Sequence, residues 1–312
     1  MTANRNDRLL AYDIGGSHVA AGLCQLEPLT VGRIAIAPLV DTISSEAFLD
    51  LLQNLGQQLI DGEEAAGASL AFPGPFDYSA GVSRMEHKLG ALYGVDLRVA
   101  IAMRMGWSPE RIRFLNDAEA ALLGEASAGV AEGAARAVGI MLGTGIGSAF
   151  IRDGNLLTES EGVPPGGEIW NLPFLDGIVE GLLSSRAIES DYFARTGRQQ
   201  SVAFIASVAS GTGANADARA VFEAFGCHLG QVISTILAPF SPEIVVLGGG
   251  ISRASDLFLP AAKSQLNGLG IRLVPSVLFE SAPLLGAAAC WRDCFFGSSV
   301  RHTGIGRPSG LD

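Results

Sequence analysis

Two short segments of the same design constrain this chain more than anything else in it. Leu9 to Ile14 is an apolar run halted by Gly15-Gly16, after which Ser17 to Leu23 resumes in an extended pattern. Much further on, Ala137 to Leu142 runs into Gly143-Thr144-Gly145-Ile146-Gly147, and Ser148 to Ile151 continues as a strand. Each reads as strand, glycine turn, strand. One such hairpin is unremarkable, but a restart of the same theme in the second half implies two related α/β lobes. This is not a short-period solenoid. A cleft between lobes is a preferred place for small ligands. The division expected is a first lobe over residues 1–119, a second over 120–296 and a loose Gly-, Ser- and Pro-rich tail over 297–312.

Other elements fall around these hairpins. Val31 to Ile36 predicts a third strand, and Ser44 to Leu59 a helix with Phe48, Leu51, Leu52, Leu55 and Leu59 on one face. Ala68 to Phe72 reads as a buried strand ended by Pro73-Gly74-Pro75, and Val95 to Met105 as a helix. Ile112 to Leu115 is a short strand leading into Asn116-Asp117 and a helix through Ala126. In the second half, helices are expected over Ile178–Ile188, Ser201–Ala209, Ala214–Leu237, Leu257–Leu266 and Leu284–Cys294. A strand over Ile244–Leu247 ends in Gly248-Gly249-Gly250.

Composition limits what such a fold would do. The chain has 312 residues and is 48% hydrophobic, ample for packed cores. Its forty glycines are scattered, as tight turns and close backbone approaches require. A formal net charge of −11 argues against nucleic acid as a partner, because that binding rests on Lys and Arg neutralising phosphates. It leaves nucleotide binding open, since backbone amides can hold phosphate locally. Four cysteines without a disulfide spacing, a polar start and no long uninterrupted apolar run lead to the expectation of a cytoplasmic protein with no membrane partner.

Four motifs could carry chemistry. In Asp13-Ile14-Gly15-Gly16-Ser17, uncovered amides and the Ser17 hydroxyl can cradle a phosphate, and Asp13 could hold Mg²⁺ directly or through water. An ordinary hairpin turn is the alternative. Gly143-Thr144-Gly145 repeats the logic with Thr144 as hydroxyl donor. It is neither a Walker A motif nor a Rossmann fingerprint, because its glycines join two strands. Gly248-Gly249-Gly250 either lets a planar ring approach the backbone or makes a strand-to-helix turn. Asp117 is either the helix N-cap or a general base at a strand end, with Asn116 beside it able to donate and accept hydrogen bonds.

Taken together and in order, these segments resemble the ROK family of repressors, open reading frames and sugar kinases, which shares the actin and hexokinase (ribonuclease H-like) fold. The resemblance runs from about Leu9 to Cys290. It rests on Asp13-Ile-Gly-Gly-Ser17, Phe72-Pro-Gly-Pro-Phe-Asp77, Leu115-Asn-Asp-Ala-Glu-Ala120 with Leu123-Gly-Glu125, Leu142-Gly-Thr-Gly-Ile-Gly147 and Val246-Leu-Gly-Gly-Gly-Ile-Ser252. It implies an ATP- and Mg²⁺-dependent hexose kinase, with glucose the first choice of substrate, acting as a homodimer. Asp117 would be the catalytic base and Asn116 a sugar ligand, with Gly74, Glu168, Asn171 and Glu180 also on the sugar side. Asp13, Gly15, Gly16, Ser17, Gly143, Thr144 and Gly145 would surround the ATP phosphates, and Gly248 and Gly249 would lie near adenosine. His87 is a further candidate sugar ligand from the loop before Lys88; His18, His228 and His302 form no ligand pattern, and Asp77 reads as a turn residue. The chain departs from the family in having Asn171 in place of a zinc-binding His and no cysteine between Cys24 and Cys227. No structural zinc is therefore expected. Trp170 either stacks on a sugar face or packs into the space left by the zinc loop, the latter being favoured.

A sugar-responsive repressor would need a DNA-binding region before the first hairpin, where only twelve residues precede Asp13. A sugar-binding module without turnover is the remaining alternative.

Overall fold

The computed structural model describes residues 7–62, 64–211 and 213–296. The tail expected over 297–312, and His302 within it, lie outside the described residues. The first elements follow the hydrophobic pattern closely. Strands β1 (Arg8–Ile14), β2 (His18–Leu26) and β3 (Leu29–Pro38) form an antiparallel meander. Helix α1 (Ser45–Ile60) starts where Ser44 Oγ accepts the Ala47 amide, and it buries Phe48, Leu49, Leu52, Leu55 and Leu59. Strand β4 (Ala68–Phe72) pairs parallel with β1. Helix α2 (Leu97–Met105) is capped by Asp96, whose Oδ1 accepts from Val99 N, and stops at Gly106 with φ 67°. Strand β5 (Ile112–Asn116) adds to β4 in parallel, giving the sheet order β3-β2-β1-β4-β5. Helix α3 (Asp117–Ala128) follows without a break.

The second half repeats this plan. Strands β6 (Arg136–Leu142), β7 (Ile146–Arg152) and β8 (Asn155–Leu156) form an antiparallel meander. Beyond short helices α4 (Val179–Leu182) and α5 (Ser185–Thr196) come α6 (Val202–Ser210) and α7 (Ala216–Val232). Strand β9 (Ile244–Gly248) and, after α8 (Leu259–Ser264), strand β10 (Arg272–Pro275) join β6 in parallel. The order is β8-β7-β6-β9-β10, strand for strand the pattern of the first sheet. Strand β10 was not legible in the sequence, because its four residues carry no alternation of their own and only the neighbouring β9 defines them. The helix expected over Ile178–Ile188 is broken at Leu183, which is fully buried. Residues 216–240 form one helical stretch that passes through a π-turn at Ile233–Leu237 and ends in a 3₁₀ turn at Ala238–Phe240. That stretch is long and apolar enough to cross a membrane by length and composition. Here Phe222, Phe225, Leu229, Ile233 and Leu237 are buried in the core of this half.

The chain closes with α9 (Ser281–Phe296), and this helix changes the expected division. One compact unit takes in the chain up to Glu132 and resumes at Glu280; the other is Gly133–Phe279. The sequence reading placed the break at 119/120 and gave the last helix to the second lobe. The physical reason for the difference is helix packing. A Cβ at Gly286 of α9 would overlap the Ala120 carbonyl of α3, and one at Gly124 of α3 would overlap the carbonyl of Ala282. Two glycines thus bring the backbones of α3 and α9 into direct contact, and both helices stay with the first sheet.

Candidate active site

The first unit gathers its polar residues at the carboxyl ends of parallel strands, where α/β sheets bind ligands. The register sets Asp13 of β1 beside Ala71 of β4, and Phe72 of β4 beside Asn116 of β5. Asp13, the Phe72-Pro73-Gly74 exit and Asn116-Asp117 therefore share one sheet edge. The first hairpin is closed by Gly15 N donating to the His18 carbonyl at 2.9 Å. Gly16 and Ser17 are exposed beyond it, and their amides donate to no protein group among the described residues.

Asn116, not Asp117, caps helix α3. Asn116 Oδ1 accepts from Ala118 N at 2.9 Å and Glu119 N at 3.2 Å, and its Nδ2 donates to the Tyr78 hydroxyl at 3.1 Å. Tyr78 in turn donates to the Phe72 carbonyl at 3.0 Å, and stands beside Gly74. Asp117 is the first helical residue, with one oxygen accepting from Ala118 N at 2.9 Å. The carboxylate also accepts from Asp117's own amide. Burial raises the Asp117 pKa above the ordinary carboxylate range, against the pull of the Ala118 amide and the Lys88 ammonium. Asp13 is raised to about 7, first by burial and then by Asp117, with Lys88 opposing. Glu119, one residue beyond Ala118, is likewise raised to about 7 by burial.

Lys88 is the residue that sequence reasoning passed over. His87 was singled out in that loop, but its side chain is exposed, whereas Lys88 is half-buried over the hairpin. A lone Lys in a loop carries no sequence signal for this; only the fold brings it back to Gly16. His18 also lies at the hairpin, with Nδ1 3.4 Å from Ser17 Oγ. Asp77 is the turn residue expected, accepting from Ser79 Oγ and Ala80 N, which hold its pKa down.

In the second unit, Glu168, Trp170 and Glu180 come together at the second hairpin. Glu180 Oε2 accepts from Ile146 N at 3.1 Å, and Gly145 leaves room for this carboxylate: a Cβ there would lie 2.6 Å from it. Ser185 donates to the Gly143 carbonyl through both its amide and its hydroxyl, at 2.8 and 2.9 Å. Thr144 is exposed at the tip. The Trp170 carbonyl accepts from Glu180 N at 3.0 Å, and Trp170 Nε1 donates to Glu168 Oε2 at 2.9 Å. Trp170 does not fill an interior space as expected: it is 41% exposed, because the neighbouring Ile169 takes the buried position. Asn171 is exposed.

The glycines after β9 make a strand-to-helix turn, one of the two readings open in the sequence: the strand ends at Gly248 and a 3₁₀ helix starts at Gly250. A Cβ at Gly248 would overlap Met141 Sδ, and one at Gly249, whose φ is 79°, would overlap the Leu142 backbone. Close strand packing accounts for both. Gly249 and Gly250 are exposed, and Gly250 alone has open space where a Cβ would be.

A model of the ROK family matches residues 9–294. The chain belongs to the ROK family. It is a ROK sugar kinase with the actin/hexokinase-like fold. It is 29% identical to the glucokinase of Thermotoga maritima over 90% of this chain and 96% of that one. It is 25% identical to the bifunctional enzyme NanE/NanK of Brucella melitensis, over 92% of this chain and 53% of that one. Among solved structures, the ROK family glucokinase of Streptomyces griseus, in complex with glucose and AMPPNP, superposes with a TM-score of 0.73. That match has 19% identity over 91% of this chain and 98% of that one. Against this ROK background, no group of three or more His, Cys, Asp or Glu suited to a metal is found among the described residues.

Proposed function

We propose that this ROK protein is an ATP-dependent hexose kinase whose acceptor is a hexose hydroxyl, with glucose O6 the first choice. The observation that carries the reading is the division of labour between Asn116 and Asp117. Asn116 takes the capping role, so the half-buried Asp117 carboxylate at the strand end is not consumed as the helix cap. A raised pKa suits such a group to accept a proton, because the match to the attacking hydroxyl improves as its basicity rises.

In this reading Asp117 accepts the hydroxyl proton as that oxygen attacks the γ-phosphorus of ATP. The unused amides of Gly16 and Ser17 take up charge on the phosphates. Asp13 is a half-buried anion that suits a hard cation, and Mg²⁺ brought with ATP would be held there, supplying charge neutralisation at the phosphates. Asn116 orients a neighbouring sugar hydroxyl. Glu168 and Glu180 each keep a carboxylate oxygen for sugar hydroxyls, and Thr144 offers a hydroxyl and amide for phosphate. The glucokinase relative supports glucose, and another hexose, N-acetylmannosamine among them, is the alternative acceptor.

The test is a coupled assay of ADP release with Mg-ATP and a panel of hexoses, run beside Asp117→Ala. The variant should lose about 10²–10⁴-fold in kcat. Turnover within a few-fold of wild type would remove Asp117 from the mechanism. No sugar-dependent turnover across the panel by folded wild-type protein would favour a binding module instead.

A further inference from the structure

The first hairpin faces an ammonium group that neither the family resemblance nor the motifs account for. Met85 and Leu89 are both buried in the first core, Leu89 with a left-handed φ of 51°. They pin the loop on either side of Lys88 and fix where its stem leaves the backbone. A non-glycine residue is disfavoured in that conformation, so the loop shape is imposed by its anchors. Lys88 Nζ comes to 3.5 Å from the place a Cβ on Gly16 would occupy. It makes no ion pair or hydrogen bond among the described residues, although Asp13 and Asp117 are both near enough to feel its charge.

We infer that the Lys88 ammonium binds the phosphoryl group in transit, over Gly16 and Ser17, as a further catalytic residue of the proposed kinase; the inference rests on that reading. Three observations converge on it. Lys88 is half-buried, and its ammonium has no ion pair or hydrogen bond among the described residues although two carboxylates feel its charge. The hairpin amides beneath it are unused, so ammonium and amides together make an anion cradle. The charged groups that feel the Lys88 ammonium, Asp13 on β1 and Asp117 on α3, are both acidic. A phosphate brought to Asp117 therefore needs a cation here, both to lower repulsion and to take up charge in the transition state. Lys suits the task as a compact charge on a flexible stem.

The test uses the full chain with Lys88→Met and Lys88→Arg. Calorimetric titrations, in the presence of glucose, compare AMPPNP–Mg²⁺ with ADP–Mg²⁺. ADP lacks the group Lys88 would hold, and its binding also reports that the variant is folded. Lys88→Met should weaken AMPPNP by about tenfold or more, as expected for loss of a charge-assisted contact, and leave ADP within a few-fold. In the assay, kcat should fall about 10²-fold, with the hexose KM little changed. The acid limb of the pH profile should move to higher pH as Asp117 loses its cationic neighbour. Lys88→Arg should recover part of each effect. Equal losses for AMPPNP and ADP, or no loss for either, would overturn the inference. If wild type turns over no hexose but Lys88→Met still loses AMPPNP selectively, the phosphate contact stands and the hexose kinase reading fails.

Discussion

Asp13 and Asp117 are the residues whose environment does most to shape the chemistry. Asp117 must be ionised to accept a proton, and its pKa lies above the ordinary carboxylate range. Activity should therefore fall as pH drops through that raised value, so the acid limb of kcat/KM should lie above the range of an exposed Asp, measured across a pH series. Because Asp13 responds to Asp117, the limb reports the pair. Asp13 also makes a stability prediction. Its ordinary pKa of 3.8 rises to about 7 in the fold, so folding favours the protonated form. Its contribution is intact at low pH and is lost progressively as pH rises towards about 7. Asp13→Asn should raise the Tm of the nucleotide-free protein more at pH 8 than at pH 5. An equal gain at both would mean that charge burial is not the cause. The sequence pointed to Asp13 and Asp117 through their glycine and strand-end settings. It did not separate capping from catalysis at 116–117, because Asn and Asp are both good caps and only the hydrogen bonds distinguish them.

At the scale of elements, helix α3 carries the site residues and is held at both its start and its middle. Asn116→Ala should remove the cap at about 1 kcal/mol, and it also frees the Tyr78 hydroxyl from its link to the strand end. Denaturant unfolding should show that loss, with kcat falling as Asp117 is no longer held at a fixed helix start. Gly286→Val introduces a side chain where α9 touches the Ala120 backbone. Overpacking of this kind costs about 1–3 kcal/mol or more, and the shift should pass into α3 and lower kcat as well. Unchanged stability would mean that α9 can move aside. Most elements were legible from periodicity, α1 and β4 nearly to the residue. The broken helix at 179–196 was not, because its apolar residues keep a helical spacing across Leu183 while the chain turns there to bury that side chain.

The whole molecule has two units, each with its own core and the same five-stranded order. The first is discontinuous in sequence, since it needs α9 from the far end of the chain. A protein truncated after Phe279 should thus lose amide protection in β1, β2, β4 and β5, while β6, β7 and β9 keep theirs in hydrogen exchange read by mass spectrometry. Uniform loss across both sheets would mean that the second unit does not hold its structure alone.

The two hairpins, the repeated α/β plan and the family are legible in the sequence alone, because they are written in local patterns of apolar spacing and glycine. The folded chain adds that α9 belongs to the first unit, that Gly248 and Gly249 allow close strand packing, that Glu180 rests on the second hairpin, and that Lys88 reaches the first. Each of these depends on which distant backbone lies within a few ångströms, and no local pattern carries that information.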